Sequence, residues 1–140
     1  MTRRRVPRDH AARVVVFDCQ ALARAVTGDE YLRGVIRLAK QENSPVVVSV
    51  ATMVEVIHPR IDTRELRYVL SLIRLVDVTA DIARSASELL SAAGLHGHTH
   101  ALDSFVCATA LASQGHPTIY TSDLGDVQRL VGNRASVIRV

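Results

Sequence analysis

The chain has 140 residues, of which 48% are hydrophobic and 22% are charged. This length and balance predict one folded domain rather than a disordered chain. The net charge of +3 does not by itself require a nucleic acid partner. No apolar run reaches the roughly 20 residues of a membrane-spanning helix. The basic start is not followed by the apolar run of a secretion signal. We therefore expect a basic N-terminal tail over residues 1–12, a single domain over residues 13–140, and a cytoplasmic protein without membrane contact.

Runs of β-branched and aromatic residues predict the strands. They cover residues 14–17, 46–50, 75–78, 118–121 and 137–140, the last as an edge strand. Continuous apolar runs of this kind are typical of strands that are buried on both faces.

Between these runs, apolar residues recur at helical spacing. The spacing predicts helices over residues 31–39, 66–73, 82–93 and 102–111, the third of which ends at Gly94. Strands that alternate with helices predict an α/β/α sandwich around a mainly parallel sheet of four to five strands.

Acidic residues follow the ends of the predicted strands. Asp18 comes directly after the first strand, Glu55 lies five residues beyond the second, and Asp123 follows the fourth, with Asp126 three residues later. Asp103 lies in the first turn of a predicted helix. Because the carboxyl ends of parallel strands meet at one edge of a sheet, we expect these acids to lie together.

Each acid also has a structural explanation when it is taken alone. Asp18, Asp123 or Asp126 could cap a helix, and Asp103 suits the positive end of a helix. As a group, however, the carboxylates would repel one another by about 1 kcal/mol per close pair even in water, which favours a bound cation. Carboxylate ligands favour Mg²⁺ or Mn²⁺, and such an ion completed by a substrate phosphate implies phosphodiester hydrolysis.

Four segments carry a resemblance to a known family. They cover residues 14–18, 49–56, 100–110 and 121–126, and the Asp-x-x-x-x-Ala-Thr-Ala motif within the third is the most specific. In this order and spacing, the segments resemble those of the PIN-domain ribonucleases, and in particular the VapC-type toxins of bacterial toxin–antitoxin pairs.

The resemblance implies a PIN-like α/β/α fold and an endoribonuclease that uses Mg²⁺ or Mn²⁺. It implies that the catalytic and metal-binding quartet of the family falls on Asp18, Glu55, Asp103 and Asp123, with Asp126 as a candidate fifth metal ligand. It also implies an RNA substrate, a homodimer and a cognate antitoxin, with DNA contacted only indirectly through the antitoxin.

Two positions beside the acids bear on the resemblance. Cys19-Gln20 follows the first Asp where the family commonly has a small hydroxyl or amide residue. Thr121 keeps a hydroxyl near the fourth acid, where it could hold a metal-bound water or orient Asp123. The departure at Cys19-Gln20 keeps open the alternative that the protein is a catalytically silent PIN-like module, which acts in a DNA-binding complex with its antitoxin. A deoxyribonuclease with the same ligands is a third alternative.

The remaining polar residues receive structural interpretations. We expect His96, His98 and His100 to lie in a loop rather than in a zinc site, and Cys19 and Cys107 to be small core residues. Part of one apolar stripe predicts a subunit interface; it comprises Ile36, Leu38, Leu66, Val69, Leu70 and Ile73.

Overall fold

The structure is a computed structural model that describes residues 13–140, so the predicted basic tail over residues 1–12 lies outside the described residues. The strands are β1 (Val15–Phe17), β2 (Val47–Ser49), β3 (Arg74–Val76), β4 (Thr118–Thr121) and β5 (Ser136–Arg139). The helices are α1 (Cys19–Val26), α2 (Glu30–Gln41), α3 (Met53–Val56), α4 (Thr63–Leu70), α5 (Ala80–Ala93), α6 (Gly97–Ala112) and α7 (Leu124–Val131), and a 3₁₀ turn covers Val50–Thr52.

The five strands form one sheet in the order β3-β2-β1-β4-β5. Every neighbouring pair is parallel, and β5 lies at an edge, so the predicted parallel sheet and its edge strand are confirmed. The chain first builds outward from β1 through β2 and β3, and then returns to place β4 on the other side of β1. The strand order therefore reverses at β1, and ligands of open α/β sheets bind at such a switch point.

Alternate side chains of each strand enter two separate cores, which makes the molecule a three-layer sandwich. Val16 and Ile119 pack under α5, α6 and α7 on one face of the sheet. Their neighbours Phe17 and Tyr120 pack under α1 to α4 on the other face, with ring centroids 5.4 Å apart. Burial on both faces is the reason that the strands read as continuous apolar runs.

Helix α5 ends as its sequence predicts. Gly94 follows its last residue with a φ of 66°, a left-handed conformation that costs glycine little because it has no Cβ. At the other end, the Thr79 hydroxyl accepts a hydrogen bond from the Ile82 N–H at 3.2 Å.

The interpretation of the histidine segment as a loop is wrong. Helix α6 begins at Gly97, five residues before the predicted start, and it carries His98 and His100. The backbone at His100 leaves helical geometry (φ −119°, ψ 16°) and forms a kink. Periodicity could not show this first turn, because it contains no apolar stripe.

The apolar stripe on α2 and α4 belongs largely to the protein's own core. Ile36, Leu66 and Val69 are buried under the sheet, whereas Leu38 is 56% exposed. Of these four residues, only Leu38 is exposed enough to contribute to a subunit interface. Within the part of the chain that the structure describes, every helix is too short or too polar to cross a membrane.

Candidate metal centre

Asp18 lies at the carboxyl end of β1, at the switch point. It is buried, with an exposed fraction of only 3%. Its Oδ1 accepts a hydrogen bond from the Ala21 N–H at 2.8 Å, which caps α1. Its Oδ2 accepts a second hydrogen bond from the Ser122 N–H at 3.1 Å. The capping role considered for Asp18 is therefore real, and the same carboxylate also joins the end of β1 to the loop after β4.

Asp123 occupies the position before α7, but its side chain makes no capping hydrogen bond. Its backbone N–H instead donates to Oγ1 of Thr121, at 2.9 Å. Thr121 is fully buried, so this contact holds the turn in one conformation. Thr121 thus holds the backbone of Asp123, whereas its role towards the Asp123 carboxylate or a metal-bound water stays a prediction.

Four side chains from α6, α7 and the turn before α7 converge at this edge of the sheet. One ligand atom from each of His100, Asp103, Asp123 and Asp126 lies within 4.8 Å of the other three. The Nδ1 atom of His100 is 3.4 Å from Oδ2 of Asp126. Each pair, His100 with Asp103 and Asp123 with Asp126, is separated by three residues, a spacing that puts both members on one side of a helical turn.

Within this group, the Asp103 carboxyl holds a proton more tightly than an isolated carboxyl does. The pKa of Asp103 is raised from 3.8 to about 7, mainly because the carboxyl is partly buried. A hydrogen bond with Asp123 and the charges of Asp123, Asp18 and Asp126 raise the pKa further. Asp18 is therefore close enough to act on the group electrostatically, although it is not one of the four converging ligands.

Glu55 is exposed and is not among the four converging ligands. Its Oε2 accepts a hydrogen bond from the Cys19 thiol, with sulfur and oxygen 2.8 Å apart. Burial raises the pKa of Cys19 to about 12, and the contact with Glu55 and the charge of Asp18 act in the same direction. The thiol therefore stays protonated and acts as a donor that positions Glu55.

The two cysteines differ from each other. Cys107 is fully buried in the core, as predicted. Cys19 meets the expectation of a core residue only in part: it packs, half-buried, against the core under α1 to α4, and its thiol also contacts Glu55. The sequence interpretation also missed His100, although its three-residue spacing from Asp103 was a signal that could have placed the imidazole beside the acids.

The donor set fits a divalent cation. Carboxylate oxygens of three aspartates lie close together, and their mutual repulsion is relieved by a proton at Asp103. A divalent ion would replace that proton and neutralise more of the charge. Asp103, Asp123 and Asp126 are therefore residues that could hold a divalent cation, with Asp18 close enough to add its charge.

The pKa of Asp103 predicts how metal binding depends on pH. Below pH 7 a proton must leave before the ion binds, so we expect the Mn²⁺ affinity to rise by up to about tenfold per pH unit and to level off above pH 7. Isothermal titration between pH 5.5 and 8.5 measures this dependence. Asp103→Asn should bind more weakly and lose the inflection near pH 7; an affinity of the intact protein that is constant over this range would contradict the prediction.

Solved structures of low sequence identity share this fold over nearly the whole chain. VapBC2 from Rickettsia felis bound to a DNA fragment from its promoter matches with a TM-score of 0.66 and 14% identity over 91% of this chain and 98% of its own. A DNA-bound VapBC from Salmonella typhimurium matches with a TM-score of 0.63 and 14% identity over 90% of this chain and 97% of its own. A toxin–antitoxin complex from Klebsiella pneumoniae matches with a TM-score of 0.60 and 19% identity over 89% of this chain and 95% of its own.

No family model and no curated protein matches the sequence. The structural matches nevertheless agree with the resemblance carried by the four sequence segments, and they cover 89–91% of the chain. The protein therefore has a PIN-like α/β/α fold, which it shares with chains of VapBC toxin–antitoxin complexes.

Proposed function

We propose that this protein is the toxin of a toxin–antitoxin pair and acts as a Mg²⁺- or Mn²⁺-dependent endoribonuclease. The observation that carries the proposal is the convergence of three carboxylates at the switch point, where burial and the neighbouring carboxylates raise the pKa of Asp103 to about 7. Helix capping alone does not explain why these carboxylates lie together, because the Asp123 side chain makes no capping hydrogen bond.

In this proposal the ion supplies an activated water and neutralises charge on the scissile phosphate. Asp103 and Asp123 hold it, with Asp126 beside them, and Asp18 is kept rigid by its two backbone hydrogen bonds. Glu55, positioned by the Cys19 thiol, accepts the proton that the attacking water gives up. The water oxygen forms the new bond to phosphorus while the bond from phosphorus to the leaving ribose oxygen breaks, and that oxygen takes up a proton from bulk water.

The test is cleavage of single-stranded RNA by the purified protein with Mg²⁺, with Mn²⁺ and with a chelator. We expect internal cleavage that requires the ion and is lost in Asp123→Asn. Asp81→Asn is the matched control, because Asp81 is an exposed acid on α5 that pairs with Arg84. Cleavage of DNA but not RNA would favour the deoxyribonuclease. An ion that binds without cleavage of either would favour the silent module.

The proposed partners follow from the same proposal. The three solved structures described above are toxin–antitoxin complexes, and two of them contain DNA. We therefore propose a cognate antitoxin for this protein, with DNA contacted through that antitoxin. An arginine of the antitoxin would suit the metal-free carboxylates, because its planar guanidinium can pair with a carboxylate through two hydrogen bonds.

We also propose that the protein forms a homodimer. Large apolar side chains are exposed on the helical layer made by α1 to α4: Tyr31, Leu38, Val54, Ile57 and Tyr68. Exposed apolar surface of this kind marks interfaces. Light scattering at micromolar concentration should give twice the chain mass of 15.3 kDa, and Leu38→Arg should shift the protein towards the monomer. A monomer mass for the unmodified protein would contradict this proposal.

A further inference from the structure

We propose that His100 is a nitrogen ligand of the metal centre and makes it prefer a transition-metal ion such as Mn²⁺ over Mg²⁺. This inference rests on the proposed metal-dependent function, and it concerns a residue that the sequence analysis placed in a loop without a metal role and that lies outside the carboxylate quartet. It is carried by the position of the imidazole, the geometry of its contact with Asp126 and the chemistry of the donor set.

The imidazole lies inside the ligand group rather than beside it. Its nitrogen is one of four ligand atoms that all lie within 4.8 Å of one another, the others being oxygens of Asp103, Asp123 and Asp126. In an octahedral site with ligands about 2.1 Å from the ion, adjacent ligand atoms are about 3.0 Å apart and opposite ones about 4.2 Å, so the four atoms need to approach by about 1–2 Å at most when an ion binds. Side-chain rotation is sufficient for such a change.

The contact between His100 and Asp126 is close to the length expected for two ligands of one ion. Their Nδ1 and Oδ2 atoms are 3.4 Å apart, beyond the 2.7–3.2 Å range of a well-formed N–H···O hydrogen bond. Two adjacent ligands about 2.1 Å from an octahedral ion are about 3.0 Å apart, so this pair is within about 0.4 Å of that spacing. The pair is thus spaced for an ion between the two atoms and is too long for a good direct hydrogen bond.

The local backbone also serves this position. The kink at His100 interrupts α6 three residues before Asp103. The imidazole at the kink and the Asp103 carboxyl three residues later reach the same group, while Asp123 and Asp126 reach it from the start of α7. The exposed His98, on the same turn of α6, is not among the four converging ligands.

The donor set then decides the metal. Mg²⁺ prefers oxygen ligands alone, whereas imidazole suits transition metals, whose affinity for nitrogen-containing sites exceeds that of Mg²⁺. A centre with three carboxylates and one imidazole still accepts Mg²⁺ through its oxygens. Removing the imidazole should therefore weaken Mn²⁺ binding much more than Mg²⁺ binding.

The test is pulsed electron paramagnetic resonance on the full-length protein loaded with one equivalent of Mn²⁺. We expect modulation of the electron spin echo from a directly bound imidazole nitrogen, lost in His100→Ala and retained in the matched control His98→Ala. Calorimetry should show Mn²⁺ affinity lowered by about tenfold or more in His100→Ala, with a smaller change for Mg²⁺. His100→Gln can still donate a hydrogen bond to Asp126, so it preserves a structural role but not the imidazole signal.

The outcomes separate this inference from the proposed function. Mn²⁺ that binds and supports RNA cleavage without a nitrogen signal would overturn the role of His100 and leave the proposed function standing. The same conclusion would follow if His100→Gln kept the Mn²⁺ preference of the unmodified protein. Failure to bind either Mn²⁺ or Mg²⁺ would overturn both proposals.

Discussion

Asp103→Asn is expected to reduce RNA cleavage by a factor of about 10³ or more. A bound metal ion contributes several kcal/mol of transition-state stabilisation, and each 1.36 kcal/mol corresponds to about a tenfold change in rate. Asparagine has nearly the shape of aspartate but lacks the charge that attracts the ion. Initial cleavage rates at saturating Mg²⁺ and Mn²⁺ measure the effect, with Asp81→Asn as the control. Cleavage by Asp103→Asn at the rate of the unmodified protein would rule out the proposed centre.

The same substitution should stabilise the metal-free protein. The pKa of Asp103 is about 7 in the folded protein and near 3.8 when the chain is unfolded, so the folded state favours the protonated form. The stability that this proton provides is fully present below pH 3.8 and is progressively lost as the pH rises to 7. Asparagine is neutral throughout, so its advantage should grow between pH 4 and 7 and stay constant above.

We expect Asp103→Asn to raise the free energy of unfolding by about 1–2 kcal/mol at pH 8, a value reduced from the full effect of the pKa shift because the carboxyl is partly exposed. At pH 4 the two proteins should be nearly equal in stability. Urea unfolding with a chelator present at both pH values measures the difference. A variant that is less stable than the unmodified protein at pH 8 would show that the carboxylates do not repel one another as the structure implies.

Asp18→Asn is the second substitution with a large expected effect, and its effect on stability has the opposite sign. Both carboxylate oxygens of Asp18 accept backbone N–H groups, from Ala21 and from Ser122. Asparagine offers one oxygen, so its amino group would face one of these donors and leave it unsatisfied. Hydrogen bonds to a charged group contribute about 1.5–3 kcal/mol, and we expect a loss of that size.

Thermal and urea unfolding of the metal-free variants compare the two positions directly. Asp18→Asn should unfold several degrees below the unmodified protein, whereas Asp103→Asn should unfold above it at pH 8. Both variants should lack RNA cleavage, Asp18→Asn in part because the junction between β1 and the loop after β4 is loosened. Equal stability of Asp18→Asn and the unmodified protein would mean that the two backbone contacts carry little of the fold.

The sequence predicted the architecture correctly because the signals for it are local. A buried parallel strand needs apolar side chains on both faces, and this requirement is visible in runs such as residues 14–17. The left-handed end of α5 at Gly94 is equally local, since it depends on one residue without a Cβ. The same signals placed Asp18 and Asp123 at strand ends, and the parallel sheet then brought these ends to one edge.

By itself, the sequence determined the alternation of strands and helices, the parallel sheet and the set of acids that follow its strands. Only the tertiary structure decided that Asp18 is tied to the backbone, that Glu55 is paired with Cys19, and that His100 joins the aspartates. The physical reason is that repeating side-chain patterns report burial within one element. Convergence of side chains depends instead on where the strand order reverses and on how α6 bends and packs beside α7.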